Sequence, residues 1–491
     1  MGADNNGVQT RRAARRLQKV KGRKRRSVAV AAVLTLLLGC GYVVADIYDV
    51  APGMLTSKVT PVEQFPEAKQ AIAAKSVVTQ IEDVESPNAG QTQALVKAFA
   101  SATGVGKDFS LVIADDQGKV IVERNQDALR EPASTMKTLT SFAASQHLDM
   151  SSTLDTEVYL DDSASTPTLT LKGNGDMMLG SGANDASHVN GRAGLTTLAQ
   201  RTAAALRQQG VNTVAFRYDD SLFGSKRLPD HLEENNPDLA YASPMASMAI
   251  DLSRNWTGWS KPSNPDVESA FPPRSSKPAA DVANTFVKLL AGQGIKVTGG
   301  VTSGTAPSSG DPIASVSSAH LSEIMSYMLR NSDNTEAELF GRLLALKTGQ
   351  ENSPEGAAAA VKQTLADANI DVSKVTVADC SGLSPGSRLT ASVLAQVQSA
   401  LVHSNSSVSA AAEGLAVSGL SGTALSHDFP DSADGLIRLK TGTLSDVTSM
   451  TGNVSRTKGG TLVFAVIVNN PTNTWEAIHA IDTLVGKLPQ L

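Results

Sequence analysis

The apolar positions of this chain change texture along its length. From Ser27 to Ala45 runs SVAVAAVLTLLLGCGYVVA, 19 positions without a charge. About 17–25 apolar residues suffice to cross a bilayer as a helix. Much later, LVIA and VIV flank Asp115-Asp116-Gln117-Gly118 and predict a hairpin over Ser110–Ala114 and Lys119–Glu123. Its glycine falls where the turn tolerates positive φ. After Pro132 a helix is predicted from near Ser134 to about His147.

Residues 155 to about 310 read as a separate body. Strand-like pieces (Glu157–Leu160, Leu169–Lys172, Val214–Tyr218) accompany a helix at Leu195–Gln209, and a Pro/Ser-rich span, Lys261–Pro278, interrupts them. Helical patterning resumes at Ala279–Gln293 and Leu321–Leu346. The end of the chain returns to strands at Leu436–Thr441, Ser449–Val454 and Thr461–Asn469, with a Lys458-Gly459-Gly460 turn and a terminal helix over Thr474–Leu488. The layout predicts an α/β (α+β) fold with one sheet built from both ends of the outer domain and an insertion between them. Such a sheet brings the segment around Ser134 close to that around Lys440.

Charge changes the reading of the first segment. Ten Lys/Arg lie between Arg11 and Arg26 with one acid, Asp4, before them, which leaves 33 basic and 47 acidic residues beyond residue 45. Basic residues on one side of an apolar run keep that side in the cytoplasm. The expectation is therefore a cytoplasmic tail (1–26), a transmembrane anchor (27–45) and a stalk (46–90) with a helix over Glu67–Ile81. The outer body divides into a catalytic domain (91–155 and 310–491) and an inserted region (156–309). A cleaved signal peptide fits less well, because the basic region is long and no A-x-A site follows. Leu37-Leu38-Gly39-Cys40 loosely resembles a lipobox, but the apolar run continues through Val44. An acidic body with 4% aromatics excludes a nucleic-acid partner. The two cysteines, Cys40 and Cys380, cannot pair if one lies in the membrane, and the seven scattered histidines lack metal-ligand spacing. Neither a metal nor a cofactor is expected.

Three short motifs occur in order: Ser134-Thr135-Met136-Lys137, Ser332-Asp333-Asn334 and Lys440-Thr441-Gly442. Each has decoys: Ser455-Arg456-Thr457-Lys458, Ser86-Pro87-Asn88, Ser253-Arg254-Asn255 and Lys347-Thr348-Gly349. Context separates them. Ser134 opens a helix, near unpaired N–H groups and the positive end of its dipole, and Lys137 follows one turn later on the same face. A lysine packed against a core loses solvation, becomes neutral and can take a serine proton. Ser455 instead precedes a Gly-Gly turn. Lys440 ends a strand-like run, where Gly442 allows a substrate backbone to approach, whereas Lys347 before Gly349 is what a helix C-terminus shows.

These motifs resemble those of penicillin-binding proteins and serine β-lactamases. Gly173-Asn174-Gly175-Asp176, Ala242-Ser243-Pro244-Met245-Ala246, LRNSDNTEAE (Leu329–Glu338), DCSGLSPGSRLT (Asp379–Thr390) and GLSGTAL (Gly419–Leu425) narrow the likeness to the class C low-molecular-mass penicillin-binding proteins. Those are D-alanyl-D-alanine carboxypeptidases/endopeptidases of peptidase family S13, and the likeness covers about residues 91–490. It implies a β-lactamase/transpeptidase-like domain with an antiparallel sheet and a helical cluster. It further implies Ser134 as nucleophile, Lys137 as its base, Ser332 and Lys440 as a proton relay to departing D-alanine, and Asn334 as a guide for the acyl-enzyme. Thr441 and Thr443 would hold the terminal carboxylate beside Lys440, a charge match, and the N–H groups of Ser134 and Thr443 would form the oxyanion hole. Peptidoglycan stem peptides are the implied substrates and β-lactams the covalent inhibitors. The family commonly shows Asp-Gly-Ser-Gly where this chain has Asp379-Cys380-Ser381-Gly382, which makes the backbone of that turn a point to check.

Two rivals remain at this stage. A class A β-lactamase needs a carboxylate to activate water, usually in E-x-x-x-N after S-D-N, and no Glu stands four before an Asn between Asn334 and Lys440. A non-catalytic wall-binding or penicillin-sensing protein would couple to a cytoplasmic part, but about 26 basic residues are too few to bury a core.

Overall fold

The computed structural model describes residues 35–45, 86–403 and 408–491. Residues 35–45 are helical and belong to one compact unit, Met1–Gln80; the remainder belongs to another, Ile81–Leu491. Among the described residues no helix is long and apolar enough to cross a membrane. The basic tail, residues 27–34 of the uncharged run and the expected stalk helix Glu67–Ile81 lie outside them.

In the larger unit the strands are β1 (Phe109–Asp115), β2 (Val120–Arg124), β3 (Asp155–Asp161), β4 (Thr168–Gly173), β5 (Asp176–Leu179), β6 (Thr213–Asp219) and β7 (Met248–Ile250). They continue as β8 (Lys296–Ser303), β9 (Ala314–Ser317), β10 (Ala416–Val417), β11 (Ile437–Leu444), β12 (Val447–Ser455) and β13 (Thr461–Asn469). The main sheet has six strands in the order β10-β11-β12-β13-β1-β2, all antiparallel. The N-terminal hairpin thus joins the C-terminal strands, as the layout of apolar runs predicts.

Both faces of that sheet are covered around β1 and β13, which explains why these two strands read as apolar runs. In β1 and β13, Val112, Ala114, Val463, Ala465 and Ile467 face one core, with the helices Met136–His147 and Ala391–Val402. The alternate residues Leu111, Ile113, Leu462, Phe464, Val466 and Val468 face the other, against the helices Ala89–Ala100 and Thr474–Val485. The helix at Ala89 begins inside the span read from sequence as stalk.

A second, mixed sheet runs β8-β6-β4-β3-β9, with β4–β6 and β6–β8 parallel. β9 pairs with β3 beyond residue 309. This sheet shares a continuous apolar core with the helices that carry the serine motifs, since Val158, Leu171 and Leu198 pack in one cluster with Met136, Phe142 and Leu339. The apolar pattern over Leu321–Leu346 resolves into two helices, Leu321–Asn331 and Asn334–Thr348. They are broken by Ser332, whose φ of 60° is left-handed.

Candidate active site

Three elements converge. Ser134 lies in a short turn of 3₁₀ helix, Ala133–Thr135, that leads into the helix Met136–His147, so the predicted helix starts two residues late. Its neighbour Ala133 has φ 48°. Ser332 caps the helix Leu321–Asn331 in the left-handed region, and Asn334 opens the next one. Residues outside glycine rarely adopt this conformation; each such case costs about 1–3 kcal/mol and persists only where the surroundings enforce it. Lys440 and Thr441 stand on β11, which extends three residues further than the apolar pattern shows, to Leu444.

Lys137 is fully buried, and its ammonium reaches three oxygens: Ser134 Oγ at 2.9 Å, Asn334 Oδ1 at 2.7 Å and the Ser381 carbonyl at 2.9 Å. Burial lowers its pKa to about 8, against the opposing pull of Asp379, Asp333, Glu338 and Glu268. Lys440 is buried as well, and donates to Ser332 Oγ at 2.9 Å and to the Thr441 carbonyl at 2.8 Å. Burial, with the nearby Lys137, holds its pKa well below the usual lysine value. Each lysine is thus a buried amine with a lowered pKa, in contact with a serine hydroxyl.

Gly442 serves a purpose the sequence did not reveal. A Cβ there would lie 2.5 Å from Ser449 Oγ, 2.8 Å from Ser134 N and 3.0 Å from the Pro132 carbonyl. The glycine therefore lets β11 press against the backbone of Ser134. Ser449 Oγ donates to the Pro132 carbonyl at 2.6 Å and fastens the same junction from β12. Thr443 is exposed on the strand, and Thr441 Oγ1 donates to Thr423 Oγ1 at 3.0 Å, within the GLSGTAL segment. β10 pairs only with Arg438 and Leu439, so among the described residues no strand pairs with Lys440–Leu444 on the side away from β12.

The decoys separate as context predicts. Ser455 is exposed at the end of β12, with Lys458 exposed in the turn beyond it. Gly349 caps the helix Asn334–Thr348 at φ 70°, so Lys347 belongs to a helix terminus.

The model of the D-Ala-D-Ala carboxypeptidase 3 (S13) family matches residues 92–262 and 264–490. The chain belongs to that family. A carboxypeptidase DacB of Mycolicibacterium smegmatis is 31% identical over 481 residues, 95% of this chain and 98% of that protein. Carboxypeptidase Rv3627c of Mycobacterium tuberculosis is 29% identical over 86% of this chain and 89% of its own length. The fold is that of penicillin-binding protein 4 (DacB) from Haemophilus influenzae, whose crystal structure gives a TM-score of 0.67 at 18% identity, covering 82% of this chain and 99% of that one. The protein is a D-Ala-D-Ala carboxypeptidase.

Two supports of the carboxypeptidase site escaped sequence reasoning. The first is the turn Asp379–Ser384, quoted above only for its likeness. Its Asp379 carboxylate accepts from Ser381 Oγ and from the N–H groups of Gly382, Leu383 and Ser384, between 2.5 and 3.1 Å. Thr140 Oγ1 donates to the Cys380 carbonyl at 2.7 Å, and Glu338 accepts the Cys380 N–H at 2.7 Å. Burial and Asp379 push the Glu338 carboxyl up to about 8. The turn so fixed presents the Ser381 carbonyl to Lys137. Cys380 does not disturb it: the left-handed position is Gly382 (φ 80°), and the thiol is buried over Gly341, where a Cβ would come within 2.2 Å of Sγ.

The second support is a buried ion network. Asp333 caps the helix Asn334–Thr348 by accepting the Glu336 N–H at 2.9 Å, and its other oxygen lies 3.3 Å from Arg274 and 3.7 Å from Arg254. Glu268 bridges the same arginines at 2.7 and 3.5 Å. Arg274 also donates to Thr335 Oγ1 at 2.7 Å. These residues come from the span read as Pro/Ser-rich and from the decoy Ser253-Arg254-Asn255. The signal available was the presence of Arg254, Glu268 and Arg274 in a stretch otherwise rich in turn residues.

Proposed function

We propose that the enzyme is a serine carboxypeptidase that cleaves the terminal D-Ala-D-Ala bond of peptidoglycan stem peptides through an acyl-enzyme on Ser134. In this reading it is acylated by β-lactams and held at a membrane by the uncharged run 27–45, with the catalytic domain outside. The observation that carries the chemistry is the pair of buried lysines, each on a serine hydroxyl and near enough to one another that Lys137 lowers the pKa of Lys440. Lys137 takes the proton from Ser134 Oγ as that oxygen bonds to the D-alanine carbonyl carbon. The N–H groups of Ser134 and Thr443 receive the developing oxyanion, where one such donor is worth about 10²–10³ in rate. Ser332 then gives its proton to the departing amine and is reprotonated through Lys440, after which water clears the acyl group. Asn334 joins Lys137 to the Tyr241 carbonyl, 3.1 Å from its Nδ2, and so lines the channel for the acylated residue. Thr441 and Thr443 take the carboxylate beside Gly442.

Cleavage of peptide cross-links at the same serine is the second reading, favoured by the open edge of β11. The anchor is supported by the charge asymmetry of residues 1–45. Intact-mass spectrometry with benzylpenicillin tests the core: a lasting adduct on the Ser134 peptide, lost in Ser134→Ala, is expected. An adduct that clears within seconds points to a β-lactamase, and none on folded protein points to a wall-binding protein.

A further inference from the structure

The segment Gly419–Leu425 joins the loop of Ser332 to the strand of Lys440, residues 108 positions apart in the chain. It leaves β10 and enters a short 3₁₀ helix, Gly422–Ser426. Just before it, Ser418 Oγ donates to the Ala433 carbonyl at 2.6 Å and accepts the Ile437 N–H at 3.3 Å, which fastens the segment to the root of β11. Ser421 Oγ accepts the Val417 N–H at 3.2 Å. Gly422, at φ 62°, lies against the chain that leads to Ser332: a Cβ there would come 2.8 Å from the Arg330 carbonyl. Leu420 and Leu425 are exposed. Thr423 meets the catalytic end of β11, where the Thr441 hydroxyl donates to its Oγ1 at 3.0 Å.

The direction of that last bond matters to a carboxylate. A hydroxyl has a single proton to give and spare lone pairs with which to accept. In the proposed chemistry Thr441 takes the terminal carboxylate, which only accepts, so Thr441 must donate to it and release Thr423. Thr441 is buried, and with its proton given away its lone pairs have little water to turn to. Thr423 carries the hydroxyl that fills this need, because it can reverse its role and donate to Thr441 across the same 3.0 Å. A hydroxyl that accepts one hydrogen bond is a stronger donor in the next, most of all toward a charged acceptor. Both changes are rotations of a proton about a C–O bond and move no heavy atom.

We propose that Thr423 is a positioning residue for the substrate carboxylate, acting through Thr441. In the free enzyme it accepts the Thr441 proton and holds that hydroxyl in place. When the anion arrives, Thr423 donates to Thr441 as Thr441 donates to the anion. Ser418 and Gly422 fix the segment from two sides, so Thr423 is set against β11 without belonging to the sheet. The preference that follows is for an acyl donor that ends in a free carboxylate.

This role rests on Ser134 and Thr441 acting as proposed, and the test separates the two claims. Thr423→Val keeps the shape and removes the hydroxyl, whereas Thr423→Ser keeps the hydroxyl. The full chain is assayed for D-alanine release from a monomeric stem peptide ending in D-Ala-D-Ala. Thr423→Val is expected to raise KM about three- to tenfold, the worth of one hydrogen bond in the bound state, with kcat within about twofold. Thr423→Ser should bring KM back to within about twofold of wild type. Phenylboronic acid, which bonds to a serine oxygen and has no carboxylate, should inhibit all three proteins alike. Unchanged or lowered KM in Thr423→Val, no rescue by serine, or inhibition that weakens in step with KM overturns the role. Wild-type protein that releases D-alanine while Thr423→Val matches it leaves the Ser134 reading standing. Wild-type protein that neither releases D-alanine nor is acylated by benzylpenicillin removes both.

Discussion

Arg274→Met is the substitution that most directly probes how the inserted region supports the catalytic loop. The guanidinium is almost wholly buried, at 1% exposure, between Glu268 and Asp333, and its third contact is Thr335 Oγ1. Methionine fills most of the volume and removes the charge. Two buried carboxylates are then left with Arg254 alone, and Arg254 also pairs with Asp251 at 3.2 Å. Removing one partner from a buried ion pair costs about 3–5 kcal/mol, because the remaining charge stays desolvated. Asp333 caps the helix whose first residue, Asn334, accepts from Lys137, so the damage reaches Lys137 and the Ser134 hydroxyl it contacts. A misplacement of roughly 1 Å at such a distance costs about 10²-fold in rate. The cost has a pH signature. Burial and Asp333 already raise the Glu268 pKa above the ordinary carboxylate value, while the two arginines oppose this. Without Arg274 it rises further, so the folded state binds a proton that the unfolded state lacks, and stability falls as pH increases through that window. Urea unfolding of the variant should show the full deficit near pH 8 and a smaller one near pH 5, with benzylpenicillin acylation slowed about 10²-fold. Stability within about 0.5 kcal/mol of wild type together with unchanged acylation would refute the coupling of this network to the site.

Three further outcomes are expected. With Lys137 lowered to about 8, its neutral form grows from about one-tenth at pH 7 to nine-tenths at pH 9; stopped-flow acylation should rise about tenfold over that interval and then level, and a flat profile removes Lys137 as the base. Gly442→Ala forces a methyl within 3.0 Å of Ser449 Oγ, Ser134 N and the Pro132 carbonyl; it should cost about 1–3 kcal/mol in denaturant unfolding and most of the acylation rate, while retention of both would mean that β11 does not need this close approach. Lys440→Ala should lose acylation and Lys347→Ala should keep it, since the latter lies at a helix terminus; labelling gels with fluorescent penicillin separate the two, and equal labelling excludes Lys440 from the site.

Local sequence determined a good deal about this enzyme. The alternation buried in LVIA and in Thr461–Asn469 was legible as strands because strands covered on both faces must be apolar throughout. The serine and lysine positions were legible because proline before a helix, a strand before Lys440 and a glycine after Lys347 are local signals read within a few residues. The charge-free run behind a basic cluster is likewise a property of sequence alone. Tertiary structure decided the rest. That Gly442 accommodates the backbone of Ser134 depends on two segments some 300 residues apart coming into contact. The turn Asp379–Ser384 acquires its role only when Lys137 meets the Ser381 carbonyl. The lowered pKa of Lys137 and of Lys440 comes from burial, which no motif encodes. Arg254, Glu268 and Arg274 looked like scattered loop charges because their partner, Asp333, is distant in sequence. A local pattern can specify which residues carry the chemistry, but desolvation and long-range contact set their protonation and geometry, and both exist only in the folded chain.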